Sequence, residues 1–303
     1  MSHPHQAFDG VHPIIPTPFT AQGELDLPSL ERLVHHIANV GGHGVAVLGF
    51  LGEAHKLANW ERKEVVTTAV KVAKERNLKV FVGVRAFGAA GAIEQATEAK
   101  ELGADATFVA PIGVQNDTVL YNFYKSVAEQ SGLPLLIHDY PDSFGTKLSA
   151  NLIAKLGKEV PGIIGSKLED MPLMVKISNV LDQAPNFSIF GGYGGKYFLE
   201  ELQRGARGIM TGFAFSNVLV DIYNAFNNEG EDAAAKIFDH YTPLLRYEFQ
   251  PVIGLAFRKY VFMRQGIFTT DYVREPGNSI DSRSATELEN IINRVGLSLD
   301  PVV

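Results

Sequence analysis

The sequence predicts an α/β fold, a (β/α)8 TIM barrel with a C-terminal helical extension, and three observations support this. The chain has 303 residues, 46% of them apolar, which suits one large α/β barrel or two ordinary domains. Short β-branched runs alternate with longer segments of helical period. Eight such runs occur, the number that closes a barrel. A doubly wound sheet is the alternative, but the even spacing of the runs favours the barrel.

The predicted strands come first in each repeat and the predicted helices follow them. The strands are expected at residues 11–16, 44–49, 79–86, 106–111, 134–140, 163–167, 187–191 and 206–211. Helices with apolar residues at spacings of three and four are expected at residues 27–40, 60–76, 89–102, 118–130 and 149–156.

The repeat changes to helices alone from about residue 229. Helical patterns cover residues 232–245, 252–265 and 284–294, and no linker of flexible composition precedes them. We therefore expect a barrel over residues 1–230 and a three-helix extension over residues 231–303 that packs on the barrel.

Charge and composition exclude several classes of function. The formal net charge is −7, with 27 Lys and Arg against 34 Asp and Glu and no basic run, so we expect neither a nucleic-acid partner nor a membrane surface. The absence of cysteine excludes thiolate metal sites and cysteine nucleophiles. No apolar stretch approaches the roughly 18 residues of a spanning helix, and residues 1–10 lack a secretion signal, so we expect a cytoplasmic location.

The sixth predicted strand ends in a lysine that is a candidate nucleophile. Ile163, Gly165 and Lys167 share one face of this strand. If that face is the interior of the barrel, burial lowers the pKa of Lys167 and frees a neutral amine that can attack a carbonyl carbon. The alternative is a lysine that reaches the barrel rim or pairs with Glu169.

The fifth predicted strand ends in His138, Asp139 and Tyr140. His138 and Tyr140 fall on one face, where an imidazole and a phenol can move protons during catalysis. A hydrogen-bonded core histidine is the alternative reading of His138.

Further candidates for substrate binding follow other strands. The loop of Gly49, Phe50, Leu51, Gly52 and Glu53 offers backbone donors to a carboxylate, although Glu53 can equally bond backbone groups of its own loop. Arg85 ends the third strand, where it either holds substrate or forms a salt bridge at the rim. The glycine-rich loop after the seventh strand contains Gly192.

Several segments together resemble the dihydrodipicolinate synthase and N-acetylneuraminate lyase family. The similar segments are residues 13–19, with a Thr-Pro-Phe turn, 49–53, 101–105 and 163–169. This resemblance spans most of the chain and implies a Schiff-base (β/α)8 enzyme in which Lys167 condenses with a 2-oxo acid. It adds Thr17, Thr211 and Gly212 to the candidate substrate-binding residues and implies neither a metal nor a cofactor.

Departures from the family pattern are informative. His138 replaces the family's tyrosine, and Phe50 and Leu51 replace the two threonines of the carboxylate loop. Residues 142–145 lack the arginine that synthases carry for a dicarboxylic substrate, which argues against dihydrodipicolinate synthesis.

A subgroup that dehydrates 2-keto-3-deoxy sugar acids is more similar. Its features resemble residues 48–53, the pair His138 and Asp139, and the Met-Thr-Gly string at residues 210–212.

Three functions remain open from the sequence. The first is a lysine-dependent lyase, either a 2-keto-3-deoxy sugar acid dehydratase or a pyruvate-releasing aldolase. The second is a synthase-like condensation of pyruvate with an aldehyde, and the third is a non-catalytic sugar-acid-binding barrel. A metal-dependent aldolase is disfavoured, because His35, His36 and His43 lack a suitable carboxylate arrangement. We expect a homo-oligomer, a dimer or a tetramer.

Overall fold

The computed structural model describes residues 6–113 and 116–302, and it contains one sheet of eight parallel strands. In space the order is β1, β8, β7, β6, β5, β4, β3 and β2. Strands that follow one another in the sequence are therefore adjacent in the sheet, except that β1 pairs with β8 and not with β2. The strands are β1 (Gly10–Val11), β2 (Gly44–Val47), β3 (Lys79–Ala86), β4 (Ala106–Pro111), β5 (Leu135–Asp139), β6 (Ile163–Leu168), β7 (Ser188–Gly191) and β8 (Gly208–Ile209).

The segment after β1 closes this sheet into a barrel. The amide of Ala46 in β2 donates to the carbonyl of Pro13 at 2.8 Å, and the amide of Ile15 donates to the carbonyl of Ala46 at 3.0 Å. The predicted barrel is therefore confirmed, and the doubly wound alternative is wrong. Strand β1 is shorter than the predicted 11–16 because Pro13 and Pro16 have no amide hydrogen for a continuous ladder.

Helices alternate with the strands and surround them. They are α1 (Leu27–Asn39), α2 (Asn59–Glu75), α3 (Ala89–Glu101), α4 (Asp117–Ser131), α5 (Pro141–Phe144), α6 (Ala150–Glu159), α7 (Leu173–Leu181), α8 (Phe198–Gln203) and α9 (Ser216–Asn228). Within the described chain, every helix is too short or too polar to span a bilayer.

Three helices follow the barrel, as predicted: α10 (Glu231–Glu248), α11 (Gly254–Arg264) and α12 (Ser282–Arg294). Helix α11 begins two residues later than the predicted 252, because Val252 has a positive φ of 73° that a helix does not allow. The division of the chain at residue 230 stays a prediction.

Apolar side chains fill the barrel interior below the C-terminal strand ends. This inner cluster is made of Ile14, Ala46, Phe81, Ala106, Phe108, Leu136, Ile164, Phe190 and Met210. A second layer of apolar residues joins the strands to the surrounding helices. Because the interior is packed, the space for a ligand lies above it, at the C-terminal ends of the strands.

Candidate active site

A cavity of about 380 Å³ lies at the C-terminal ends of the strands, between the barrel and the C-terminal extension. Its barrel wall includes Ile14, Phe50, Leu51, His138, Tyr140, Lys167, Glu169 and Thr211, and its outer wall includes Phe249, Pro251, Leu255, Arg258 and Val273. The cavity therefore contains both the predicted nucleophile and its predicted neighbours.

Lys167 lies near the end of β6 and lines this cavity. In the parallel ladders it is paired with His138 of β5 on one side and with Phe190 of β7 on the other. Its side chain is 2% exposed. Burial lowers the pKa of the Lys167 ammonium to about 7, against the opposing charges of Glu201 and Asp139. A large fraction of the amine is therefore neutral at neutral pH, as nucleophilic attack requires.

Glu169 stands two residues beyond Lys167 and points to the same side. Its Oε1 accepts from the amide of Tyr193 at 2.8 Å, and its Oε2 lies 3.4 Å from Nε2 of His138 and contacts the Lys167 ammonium. This carboxylate also lines the cavity, so it is a candidate proton carrier. From the sequence, Glu169 is expected only as an alternative ion-pair partner of Lys167, although the two-residue spacing between them indicates a shared face.

His138 is enclosed by aromatic rings. The centroids of the Phe108 and Phe144 rings lie 5.4 and 5.0 Å away, and the Tyr140 ring stacks on the imidazole at 6.3 Å. Burial, with the nearby charges of Lys167 and Arg85, holds the pKa of His138 well below its usual range. The imidazole is therefore neutral at pH 7 and can donate one hydrogen bond to Glu169.

Tyr140 completes the group, with its ring centroid 5.8 Å from Nζ of Lys167. The structure thus brings together the three residues predicted as catalytic. Their roles stay predictions.

Two glycines at the end of β7 provide space for buried carboxyl groups. A Cβ atom on Gly191 would overlap the carboxyl group of Glu201, and one on Gly192 would lie 2.2 Å from Oε1 of Glu169. The Gly192 amide donates to Oε1 of Glu201 at 3.2 Å. Burial raises the pKa of Glu201 to about 8. Gly192 therefore leaves the space that the Glu169 carboxylate occupies at the cavity. Gly192 is not itself among the lining residues.

The predicted substrate-binding residues fall into two groups. Phe50, Leu51 and Thr211 line the cavity, and the Thr211 hydroxyl accepts from the Gly194 amide at 2.8 Å. Among the described lining residues, the other predicted positions are missing: Thr17, Gly49, Gly52, Glu53, Arg85, Gly192 and Gly212.

Three of the residues outside the lining have clear structural contacts. Thr17 donates to the carbonyl of Gly52 at 2.6 Å and so holds the loop after β2. Glu53 accepts from Lys56 and Lys259. Arg85 packs against the rings of Phe50 and Phe144, with centroids 5.7 and 5.4 Å away.

Among residues 6–113 and 116–302, no group of three or more His, Asp or Glu side chains is arranged to hold a metal ion.

Known proteins resemble this chain over most of its length. A model of the dihydrodipicolinate synthetase family matches residues 7–295. The chain belongs to this family. The chain is 26% identical to an L-2-keto-3-deoxyarabonate dehydratase of Azospirillum brasilense, over 97% of this chain and 95% of the relative. It is 30% identical to a 4-hydroxy-tetrahydrodipicolinate synthase of Hydrogenobaculum sp. (strain Y04AAS1), over 75% and 78% of the two chains.

Solved structures of the family have the same fold. The structure of a dihydrodipicolinate synthase from Rhodopseudomonas palustris superposes with a TM-score of 0.90 at 32% identity, covering 95% of this chain and 98% of that one. A monomeric dihydrodipicolinate synthase variant superposes with a TM-score of 0.89 at 22% identity, covering 97% and 99%. As a member of the dihydrodipicolinate synthetase family, the chain is a lyase that processes small molecules.

Proposed function

We propose that Lys167 forms a Schiff base with a 2-oxo acid and that the chain is a 2-keto-3-deoxy sugar acid dehydratase or a pyruvate-releasing aldolase. One observation carries the proposal: a lysine in the wall of the cavity has a pKa lowered by burial to about 7. Because burial frees part of this amine at neutral pH and the amine faces the cavity, it can attack a carbonyl carbon of a bound ligand.

The proposed chemistry begins when the neutral amine of Lys167 attacks the C2 carbonyl carbon and water leaves. The protonated imine then draws electrons from C3. In a dehydratase, a base removes a proton from C3 and the C4 hydroxyl leaves as water. In an aldolase, the C4 hydroxyl loses its proton, the bond between C3 and C4 breaks, and a pyruvate enamine and an aldehyde form. The cationic imine stabilises the transition states of both routes.

Glu169 and His138 support the proton transfers of this scheme. Glu169 is held by the Tyr193 amide and contacts the nucleophile, so it is placed to exchange protons with the imine nitrogen or with C3. A neutral His138 that donates to Glu169 keeps the carboxylate oriented. Tyr140, beside both groups, is the second proton carrier that we propose.

Likeness to relatives favours dehydration, because the named arabonate relative aligns with nearly the whole chain. Condensation of pyruvate with an aldehyde, as in the synthases, is less well supported. The segment after β5 reads Asp142, Ser143, Phe144 and Gly145 and has no arginine for a second carboxylate.

Borohydride reduction followed by peptide mass spectrometry tests the Schiff base. We expect pyruvate or a 2-keto-3-deoxy acid to add irreversibly at Lys167, because reduction traps an imine. Product analysis with a panel of 2-keto-3-deoxy acids, and with pyruvate plus aldehydes, then separates dehydratase, aldolase and synthase. Modification at another lysine contradicts the assignment, and absence of any adduct favours a non-catalytic sugar-acid-binding barrel.

We propose in addition that the protein is a cytoplasmic homo-oligomer, a dimer or a tetramer, since closed symmetric assemblies are common for such enzymes. Light scattering at micromolar concentration tests the assembly, and a monomeric mass contradicts it.

A further inference from the structure

Arg258 reaches the cavity from helix α11 of the C-terminal extension. Its side chain is 2% exposed, and its Nε donates to Oε1 of Glu248 at 2.7 Å. Glu248 is itself held by the Ala214 amide, at 3.1 and 3.2 Å from its two oxygens. The Nε side of the guanidinium is therefore fixed by a buried acid that joins the extension to the segment after β8.

The other edge of the guanidinium is available to a ligand. In the described part of the chain, neither η nitrogen of Arg258 has a hydrogen-bond partner, and the residue lines the cavity. The two lysines of the lining have other roles: Lys56 donates to Glu53 at 2.9 Å and to the carbonyl of Arg274 at 2.7 Å, and Lys167 is the proposed nucleophile. Arg258 thus provides two charged nitrogens whose N–H groups are free to bind a ligand.

Arg258 lies beside the loop after β2, where Phe50 and Leu51 line the cavity and have no side-chain hydrogen-bond donor. Its Nε lies 3.4 Å from where a Cβ of Gly212 would be, and Cδ1 of Leu51 lies 2.5 Å from the same point. Arg258 and Leu51 therefore meet at the glycine that follows Thr211. Leu51 and its neighbour Phe50 bring no side-chain hydroxyl to this wall.

The substrate needs a cationic partner in this region. The carboxylate of a 2-oxo acid is bonded to the carbon that Lys167 attacks, so both groups enter the same cavity. A carboxylate that leaves water without a partner is strongly disfavoured, and a planar guanidinium can bind its two oxygens in parallel.

We propose that the η nitrogens of Arg258 bind the C1 carboxylate of the 2-oxo acid and that Glu248 sets their orientation. The assignment rests on the proposed Schiff-base function, because it assumes that the carbonyl of the same molecule reacts with Lys167. It makes a residue of the C-terminal extension part of the substrate-binding site of the barrel.

The test measures the pyruvate concentration that gives half-maximal borohydride trapping at Lys167. It compares the wild type with Arg258→Lys, Arg258→Met and the double variant Arg258→Met with Glu248→Gln, which leaves no unpaired buried acid. Arg62→Met is the matched control, since the half-buried Arg62 bonds Gln95 at 3.1 Å and is outside the lining described above. Pyruvamide, which has the same ketone but no charge, is the second probe.

We expect the half-maximal pyruvate concentration to rise by about tenfold or more in both variants that contain Arg258→Met, the size expected for loss of a charged hydrogen bond. We expect a smaller rise in Arg258→Lys and no change in Arg62→Met. Pyruvamide trapping should stay unchanged in all of them.

Two results overturn the assignment while leaving the Schiff base intact. One is a half-maximal pyruvate concentration within twofold of wild type in the double variant. The other is an equal loss of pyruvate and pyruvamide trapping, which indicates a structural role for Arg258. Failure of the wild type to trap any carbonyl compound overturns the proposed function, and this assignment with it.

Discussion

Two buried lysines of this protein are similar in exposure, in having a glutamate partner and in the direction of their pKa shift, but they lie in different places. Lys167 at the end of β6 is 2% exposed, and Lys259 in α11 is 0% exposed. Each contacts a glutamate, Glu169 or Glu53. Burial lowers the pKa of both ammonium groups, to about 7 for Lys167 and to about 8 for Lys259. Burial and a lowered pKa therefore do not separate a candidate nucleophile from a structural ion pair.

The difference lies in what else each lysine contacts. Lys167 is part of the cavity wall, where a ligand can reach its amine. Lys259 donates to Glu53 and, at 2.8 Å, to the carbonyl of Tyr272, and it lies over the Phe19 ring. Its donors are thus directed at protein groups that join the barrel to the extension. Access to a ligand is what gives Lys167 its proposed role.

Replacement of Lys167 should give the largest effect. Arg258 and the rest of the cavity remain in Lys167→Arg, but the guanidinium is not a usable nucleophile, so turnover should fall by about a thousandfold or more. Thermal stability should change little. Steady-state kinetics with the identified substrate and a melting curve check this, with Lys71→Arg on the exposed face of α2 as control. Retention of a tenth of the activity would falsify the assignment.

Replacement of Lys259 should act on stability instead. Lys259→Met leaves Glu53 with one fewer charged partner in a buried site, a change that typically costs about 3–5 kcal/mol. Denaturant unfolding measures the loss, and trapping at Lys167 should persist in the folded fraction. Lys259→Met combined with Glu53→Gln should recover part of the stability. A variant with normal stability but no trapping would show that Lys259 has a functional role after all.

Replacement of the proton carrier Glu169, or of His138 that orients it, should separate imine formation from turnover. In His138→Phe and in Glu169→Gln, trapping should persist while turnover slows by roughly a hundredfold, the size expected for loss of a general acid or base. Single-turnover trapping and steady-state rates on the same samples provide the comparison. If both quantities fall together in His138→Phe, the imidazole positions substrate. If neither falls, His138 is a core residue and Tyr140 is the next residue to test.

The pH dependence of trapping should give the smallest effect. Because burial lowers the pKa of Lys167 to about 7, the amine is protonated below this pH and cannot attack. The initial rate with cyanoborohydride should therefore rise with pH to a plateau above about 8, and at pH 6 it should be about a tenth of the plateau. The same midpoint should appear in Lys259→Met. A midpoint near the usual lysine value of about 10.4 would contradict the lowered pKa.

The local pattern of the sequence was sufficient to predict the barrel and to single out Lys167. The predicted bounds of β3 and β4 match the observed Lys79–Ala86 and Ala106–Pro111, because both runs are mainly apolar and β4 ends at a proline that has no amide hydrogen to extend the ladder. The β6 pattern and the family resemblance likewise indicated Lys167. These features depend on residues close together in the chain.

Tertiary structure decided how the remaining charged groups are divided between substrate and scaffold. The sequence grouped Glu53 with the substrate-binding loop, but the lysine that holds it is 206 residues further along the chain. Arg258 lies in a helix outside the predicted barrel and reaches the cavity because α11 packs over the strand ends. Periodicity reports which face of its own element a side chain occupies. Periodicity does not report which charged residue, distant in the chain, contacts that face. For a buried charged side chain, this distant partner determines whether the side chain stabilises the fold or binds substrate.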